Sequence, residues 1–184
     1  MIMDNLIRVY DNVVDDDYCD YLVERFENTP EHWDVQSSSS YDFTQIDMGK
    51  HMKSWQKDFG ELLNQLFDCV GKYKEDVKPM WPDKHGFESP RIKRYLPNGT
   101  DEFRRHVDVN SYAHARRFLV FFLYLVDVEK GGETIVMPKG GESVVSPCKK
   151  GSLIAFPPMW THPHMGKAPI DVPKYIVGSY LHYA

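Results

Sequence analysis

Cysteine is scarce in this chain: Cys19, Cys69 and Cys148 are odd in number and far apart. That excludes a disulfide framework and the paired spacing of a structural zinc site, and it predicts a reducing, cytoplasmic setting. Long apolar runs are lacking too. The longest, "FLVFFLYLV" at 118–126, falls well short of the roughly 20 residues a membrane helix needs. The opening "MIMDNLIRVYDNVVDDD" turns acidic within a few residues and lacks the pattern of a secretory signal. Positive charge is in deficit, since 22 Lys and Arg against 27 Asp and Glu leave a net charge of −5. A general binder of phosphate backbones is thereby disfavoured. There is no internal repeat, and low-complexity sequence is confined to the four serines at 37–40.

What is present is ordinary globular composition with an excess of rings: 42% hydrophobic, 27% charged and 14% aromatic residues. A chain of 184 residues suits one well-buried domain, so a single unit over 1–184 is expected. From about 15 to 76 the apolar period is helical. Asp15 or Asp16 caps a helix carrying Tyr18, Leu22, Val23 and Phe26, and a second helix over roughly 51–74 carries Trp55, Phe59, Leu62, Leu66 and Val70. "VQSSSSYDF" and the proline-punctuated "KPMWPDKHGFESP" read as connections.

After Pro90 the period becomes two, in eight short runs: "RIKRYL", "FRRHVDV", "RRFLVFFLYLVD", "ETIVM", "ESVVS", "GSLIAF", "THPHM" and "KYIVGSYLHY". Gly131 and Gly132 mark a tight turn among them. Helices followed by strands predict an α+β fold, with mainly helical support over 1–80 and an antiparallel jelly-roll core over 90–184.

Two pairs of residues stand out within the strand half. In "RRHVDV" (104–109), His106 and Asp108 are at i and i+2, so on a strand they share one face roughly 7 Å apart. Alone, such a pair is equally a polar strand face. "THPH" adds His162 and His164 at the same spacing. Two histidines and one carboxylate leaving open positions make the facial triad of non-haem iron(II) oxygenases, although zinc accepts the same ligands.

Several motifs in order resemble the 2-oxoglutarate and Fe(II)-dependent dioxygenases, most closely their prolyl 4-hydroxylase branch: "RYLPNGTDEFRRHVD", "FLYLVDVEKGGETIVMP", "SPCKKGSLIAFPP" and "HMGKAPIDVPKYIVGSYLH". The resemblance spans about half the chain. It implies a double-stranded β-helix (jelly-roll) core, with His106, Asp108 and His164 as catalytic iron ligands and His162 as the alternative third ligand. It further implies that Lys174, ten residues beyond His164, pairs with the far carboxylate of 2-oxoglutarate, and that Tyr124 and Tyr95 face that cosubstrate. An extra residue between Gly166 and Pro169 departs from the family spacing. Arg117, Tyr180, His182 and Trp160 are the implied substrate-side residues, with Tyr180 standing where the family commonly has tryptophan.

The implied cofactors are Fe(II), 2-oxoglutarate and O2, with ascorbate as an auxiliary candidate. The implied reaction is hydroxylation of a prolyl residue at C4, in a proline-containing peptide or protein, with release of succinate and CO2. Two other readings stay open. Arg91, Lys93, Arg94, Arg104, Arg105, Arg116 and Arg117 cluster around the metal strands, as an oxygenase acting on a nucleic-acid base would need, although solvated strand positions look the same. A non-catalytic metal-binding jelly-roll module is the second.

Overall fold

In the computed structural model, which describes residues 6–184, the first helix, α1 (Asp16–Glu27), starts where its sequence says it should. The Asp15 carboxylate accepts from the Tyr18 amide at 2.7 Å, and Asp16 and Asp17 lie in the first turn, where the exposed N–H groups favour negative charge. Its buried residues Cys19, Leu22 and Phe26 follow three- and four-residue steps. A longer helix, α2 (Met52–Val77), buries Trp55, Leu62, Leu66, Cys69 and Tyr73 along one stripe, then stops at left-handed Lys78 ahead of Pro79. The two helices are joined through Asp58, whose buried carboxylate meets Arg25 Nε at 2.8 Å and accepts from the Tyr21 hydroxyl at 3.0 Å.

Two antiparallel sheets make up the rest. The strands are β1 (Arg8–Tyr10), β2 (Asp34–Ser37), β3 (Asp42–Asp47), β4 (His85–Phe87), β5 (Arg91–Tyr95), β6 (Phe103–His106), β7 (Arg117–Tyr124), β8 (Thr134–Val136), β9 (Val144–Ser146), β10 (Leu153–Phe156), β11 (His164–Gly166) and β12 (Lys174–Tyr183). The larger sheet runs β1-β10-β7-β12-β5-β3-β2, with β4 beside the end of β12, and the smaller runs β6-β11-β8-β9. This is the α+β jelly roll that the change of period predicts.

The core has two layers. Leu119, Phe121 and Leu123 of β7, with Tyr175 and Val177 of β12, face the helices and pack with Leu22, Phe26, Trp55 and Leu62. Val120, Phe122 and Tyr124, with Ile176 and Tyr180, face inward between the sheets. A strand covered on both faces has no polar side, which is why 118–126 reads as one unbroken apolar run.

All eight expected strands form, but the N-terminal half is less purely helical than its periodicity suggests. The segment read as a serine loop is the hairpin β2–β3, which extends the larger sheet through pairing of β3 with β5. The proline-rich connection contains β4, which pairs Phe87 with Leu181 and His85 with Tyr183, so residues 81–89 are not a free loop. Short edge strands take their conformation from a neighbour's unpaired backbone rather than from their own apolar pattern.

Candidate metal centre and cosubstrate cavity

His106 is the last residue of β6 and His164 the first of β11, and the two are register partners. Asp108 is not on the strand with His106. The amides of Asp108 and Val109 both donate to the Pro158 carbonyl, at 3.0 and 3.1 Å, and this turns the chain so that the carboxylate faces back to the rings. Ligand atoms of His106, Asp108 and His164 all lie within 4.8 Å of one another.

The chemistry of these donors calls for a cation. His106 Nδ1 lies 2.7 Å from the Arg104 carbonyl and His164 Nδ1 lies 3.2 Å from the His162 carbonyl, contacts that require the proton on Nδ1. Each Nε2 then presents a lone pair. They stand 3.4 and 3.2 Å from the Asp108 oxygens without hydrogen-bond geometry, so His106 Nε2, His164 Nε2 and Asp108 Oδ2 are buried atoms with no partner among the described residues. Three converging acceptors, buried and unsatisfied, fit one divalent metal ion with positions left over. Phe103 stacked on His106 at 3.5 Å and Phe156 edge-on to His164 at 4.8 Å fix the rings.

His162 takes another direction: its Nδ1 lies 2.8 Å from the Thr161 hydroxyl, and its ring lines an apolar groove with Trp81 and Phe118.

Beside the metal centre is a cavity walled by His106, His164, Tyr95, Lys93, Thr134 and Lys174 among others. Lys174 is 1% exposed. Its ammonium lies over the rings of Tyr95 and Tyr124 at 5.3 and 5.7 Å, with no carboxylate in ion-pair range among the described residues. Burial pulls its pKa down. Gly166 borders that end of the cavity, where an added Cβ would stand in ordinary contact with the Lys174 Nζ at 3.6 Å. The Tyr124 hydroxyl is buried toward Ser146 and Thr134 outside hydrogen-bond geometry, and burial pushes the phenol up, keeping it a donor. A buried ammonium with phenols around it fits the carboxylate of a small anion.

On the other flank, Arg117 forms a two-pronged pair with Glu88 at 2.6 and 2.7 Å and lies 4.0 Å over the Tyr180 ring. Burial first, and the Asp108 carboxylate second, push the Tyr180 phenol well up. His182 sits against Gly86, with its buried Nδ1 unpartnered among the described residues. Trp160 does not line the cavity: it is 66% exposed under the Lys139 ammonium at 5.5 Å. The basic cluster is mostly paired with acids, Arg91 with Asp47, Arg94 with Glu27, Arg104 with Glu102 and Arg117 with Glu88. Arg105 and Arg116 are exposed, whereas Lys93, counted in the sequence as surface charge, is buried. It lies two residues before Tyr95 on β5 and so shares that residue's inward face. Burial lowers its pKa to about 8.

A jelly roll with two histidines and a carboxylate at one end and a buried lysine in the adjoining cavity has the parts of a non-haem iron oxygenase. The sequence profile of the 2OG-Fe(II) oxygenase superfamily matches residues 90–182, and the chain belongs to that superfamily. No curated protein sequence matches the chain. Among solved structures, it is similar to a viral collagen prolyl hydroxylase from Paramecium bursaria Chlorella virus-1, solved with 2OG (TM-score 0.71, 20% identity, 98% of each chain covered). A prolyl hydroxylase from Trichoplax adhaerens, in complex with a hypoxia inducible factor oxygen degradation domain peptide fragment, aligns at TM-score 0.75 and 14% identity, over 98% of this chain and 84% of that one. A Pseudomonas putida prolyl-4-hydroxylase aligns at 0.70 and 14%, over 98% and 94%. At such identities the likeness establishes the fold. Among the described residues no helix is long and apolar enough to cross a membrane.

Proposed function

We propose that residues 1–184 work as a single dioxygenase domain that hydroxylates a prolyl residue, at C4, in a peptide or protein. The observation that carries the oxygenase part is the pairing of three unsatisfied acceptors, His106, Asp108 and His164, with the buried Lys174 ammonium in one adjoining cavity. A module that only held a metal has no need of that ammonium. Bound together, Fe(II) and 2-oxoglutarate would activate O2, the oxidant, which takes two electrons from 2-oxoglutarate and two from the substrate C–H to give succinate, CO2 and C–OH. His106, Asp108 and His164 would hold the iron, leaving positions for the cosubstrate. Lys174, with the Tyr124 and Tyr95 hydroxyls as donors, would orient the far carboxylate of 2-oxoglutarate. The apolar walls Phe103, Phe122 and Ile176 exclude water, which strengthens each of those contacts.

The prolyl part rests on the three structural relatives, each described as a prolyl hydroxylase, and on an aromatic flank suited to a proline ring. Arg117, locked by Glu88 onto Tyr180, supplies a rigid wall there, and His182 a free ring nitrogen. Ascorbate would serve, as an external reductant, to keep the iron ferrous. Against the nucleic-acid reading, Arg91, Arg94, Arg104 and Arg117 are engaged with carboxylates, which leaves the exposed Arg105 and Arg116 for a phosphate backbone.

The test is succinate release from 2-oxoglutarate by iron-loaded protein, with and without a proline-rich peptide, and with Asp108→Ala as control. Peptide-stimulated turnover, hydroxyproline in the product and loss of both in the variant are expected. Turnover that no peptide stimulates would remove the prolyl assignment, and no turnover with zinc held in preference to iron would remove the oxygenase.

A further inference from the structure

Lys93 has no part in the reading above, yet it is one of two lysines that line the same cavity. On the paired strands β5 and β12, Tyr95 is opposite Lys174 and Lys93 is opposite Ile176. Residues directly opposite, and those two further along, share a face of the sheet, so both lysines point inward and sit diagonally, roughly 7–8 Å apart at their bases. Their charged ends rest over different rings. The Lys93 ammonium lies 4.8 Å over Phe43 and 5.7 Å over Phe103, and Phe103 is the ring stacked on His106. The Lys174 ammonium lies over Tyr95 and Tyr124.

Both side chains are deeply buried, at 8% and 1% exposure, and neither forms a salt bridge among the described residues; the Asp108 carboxylate is the negative charge that acts most on Lys93. Two buried ammonium groups in one apolar cavity repel each other and forgo their hydration, a cost that a bound dianion offsets. A short chain with a carboxylate at each end can set one against each ammonium.

We infer that Lys93 is a second anion-binding residue of this cavity, holding the metal-side carboxylate of a dicarboxylate while Lys174 holds the far one. The inference rests on the proposed use of 2-oxoglutarate and deepens it. The cavity is a two-cation receptor whose affinity for four- and five-carbon dicarboxylates does not depend wholly on chelation to a metal. Succinate, which has no keto group with which to chelate, is then retained as well, and the enzyme is restrained by its own product.

The experiment uses the whole chain freed of metal with a chelator and titrated calorimetrically with succinate and, separately, with butyrate. Wild type should bind succinate and prefer it to butyrate by tenfold or more. Lys93→Met should lose at least tenfold in succinate affinity and most of that preference. Lys93→Gln, smaller and polar, serves the same purpose if the methionine packs badly. Mn(II) affinity, read by electron paramagnetic resonance, should be unchanged or tighter in both variants, because a like charge near the metal has been removed; this shows the site intact. Succinate affinity equal in wild type and variants overturns the role of Lys93. Wild type that binds 2-oxoglutarate with Mn(II) but no succinate without it overturns the two-cation cavity alone. Wild type that binds 2-oxoglutarate under neither condition overturns the oxygenase reading and this inference with it.

Discussion

Three lone-pair donors that face one another across less than 5 Å have little reason to stay together without a cation, and each side chain is aimed by a backbone carbonyl or a packed ring rather than by its partners. Asp108→Ala should therefore weaken Mn(II) binding by more than the roughly 10–100-fold that loss of an outer partner costs, with a circular dichroism spectrum like that of wild type. Equal Mn(II) affinity in the variant would sink the triad. A second residue-scale prediction concerns Glu88. Burial raises its pKa, but Arg117 and Arg91 outweigh this and leave it lowered. A group depressed in the folded state stabilises the fold above its unfolded pKa, about 4.3, and loses that contribution as pH falls through the folded value. Glu88→Gln should flatten the acid limb of a urea-midpoint against pH profile below about pH 4.3. At neutral pH it should cost about 3 kcal/mol, since Arg117 is left buried without its partner. At this scale His106, Asp108, His164 and Lys174 were legible through motif and spacing. The turn that aims Asp108 was not, because it depends on the carbonyl of Pro158, fifty residues away. Lys93 was hidden by counting charge instead of following strand parity from Tyr95.

Among the elements, α2 is where sequence and structure agree most closely, because an apolar stripe repeating every three or four residues over 26 residues fits a helix and no strand. Its interior nevertheless holds Gly71, where an added Cβ would meet nothing within 4 Å. Gly71→Ala should stabilise the protein by about 1 kcal/mol, the helix-propensity difference, read as a higher urea midpoint with unchanged slope. The turn after β7 behaves in the opposite way. Gly131 has φ of +77°, and a Cβ there would come within 2.3 Å of the Ala168 carbonyl oxygen, while the next amide, of Gly132, donates to that same oxygen at 3.1 Å. Gly131→Ala should cost roughly 1–3 kcal/mol in unfolding experiments. It should also lower 2-oxoglutarate affinity, since this contact seats the segment leading into Lys174. The edge strands β2 and β4 were the elements least visible in the sequence. They are four and three residues long and lie among serines and prolines, and their identity comes from β3 and β12 beside them.

At the scale of the whole molecule, two core layers divide the work. Helices and the outer face of the larger sheet form one layer, and the space between the sheets forms the other, which leads into the site. The inner layer includes buried ammonium groups and unsatisfied ring nitrogens, so the ligand-free fold carries electrostatic costs that a metal and a dianion relieve. Ligands that bind only the folded chain stabilise it by mass action, by about 2.7 kcal/mol at a hundred times the dissociation constant. For a domain of this length each kcal/mol moves Tm by about 2–4 °C. Saturating Mn(II) with 2-oxoglutarate at that excess should thus raise Tm by about 5–10 °C, measured under nitrogen to prevent turnover. Asp108→Ala should lose most of the rise. Lys174→Met should keep only the part due to the metal, because removing the cation spares the ligand triad but leaves the far carboxylate buried without a partner. A full rise in Lys174→Met would mean that the cosubstrate does not use this cavity, and the link between the buried lysine and the metal centre would fail.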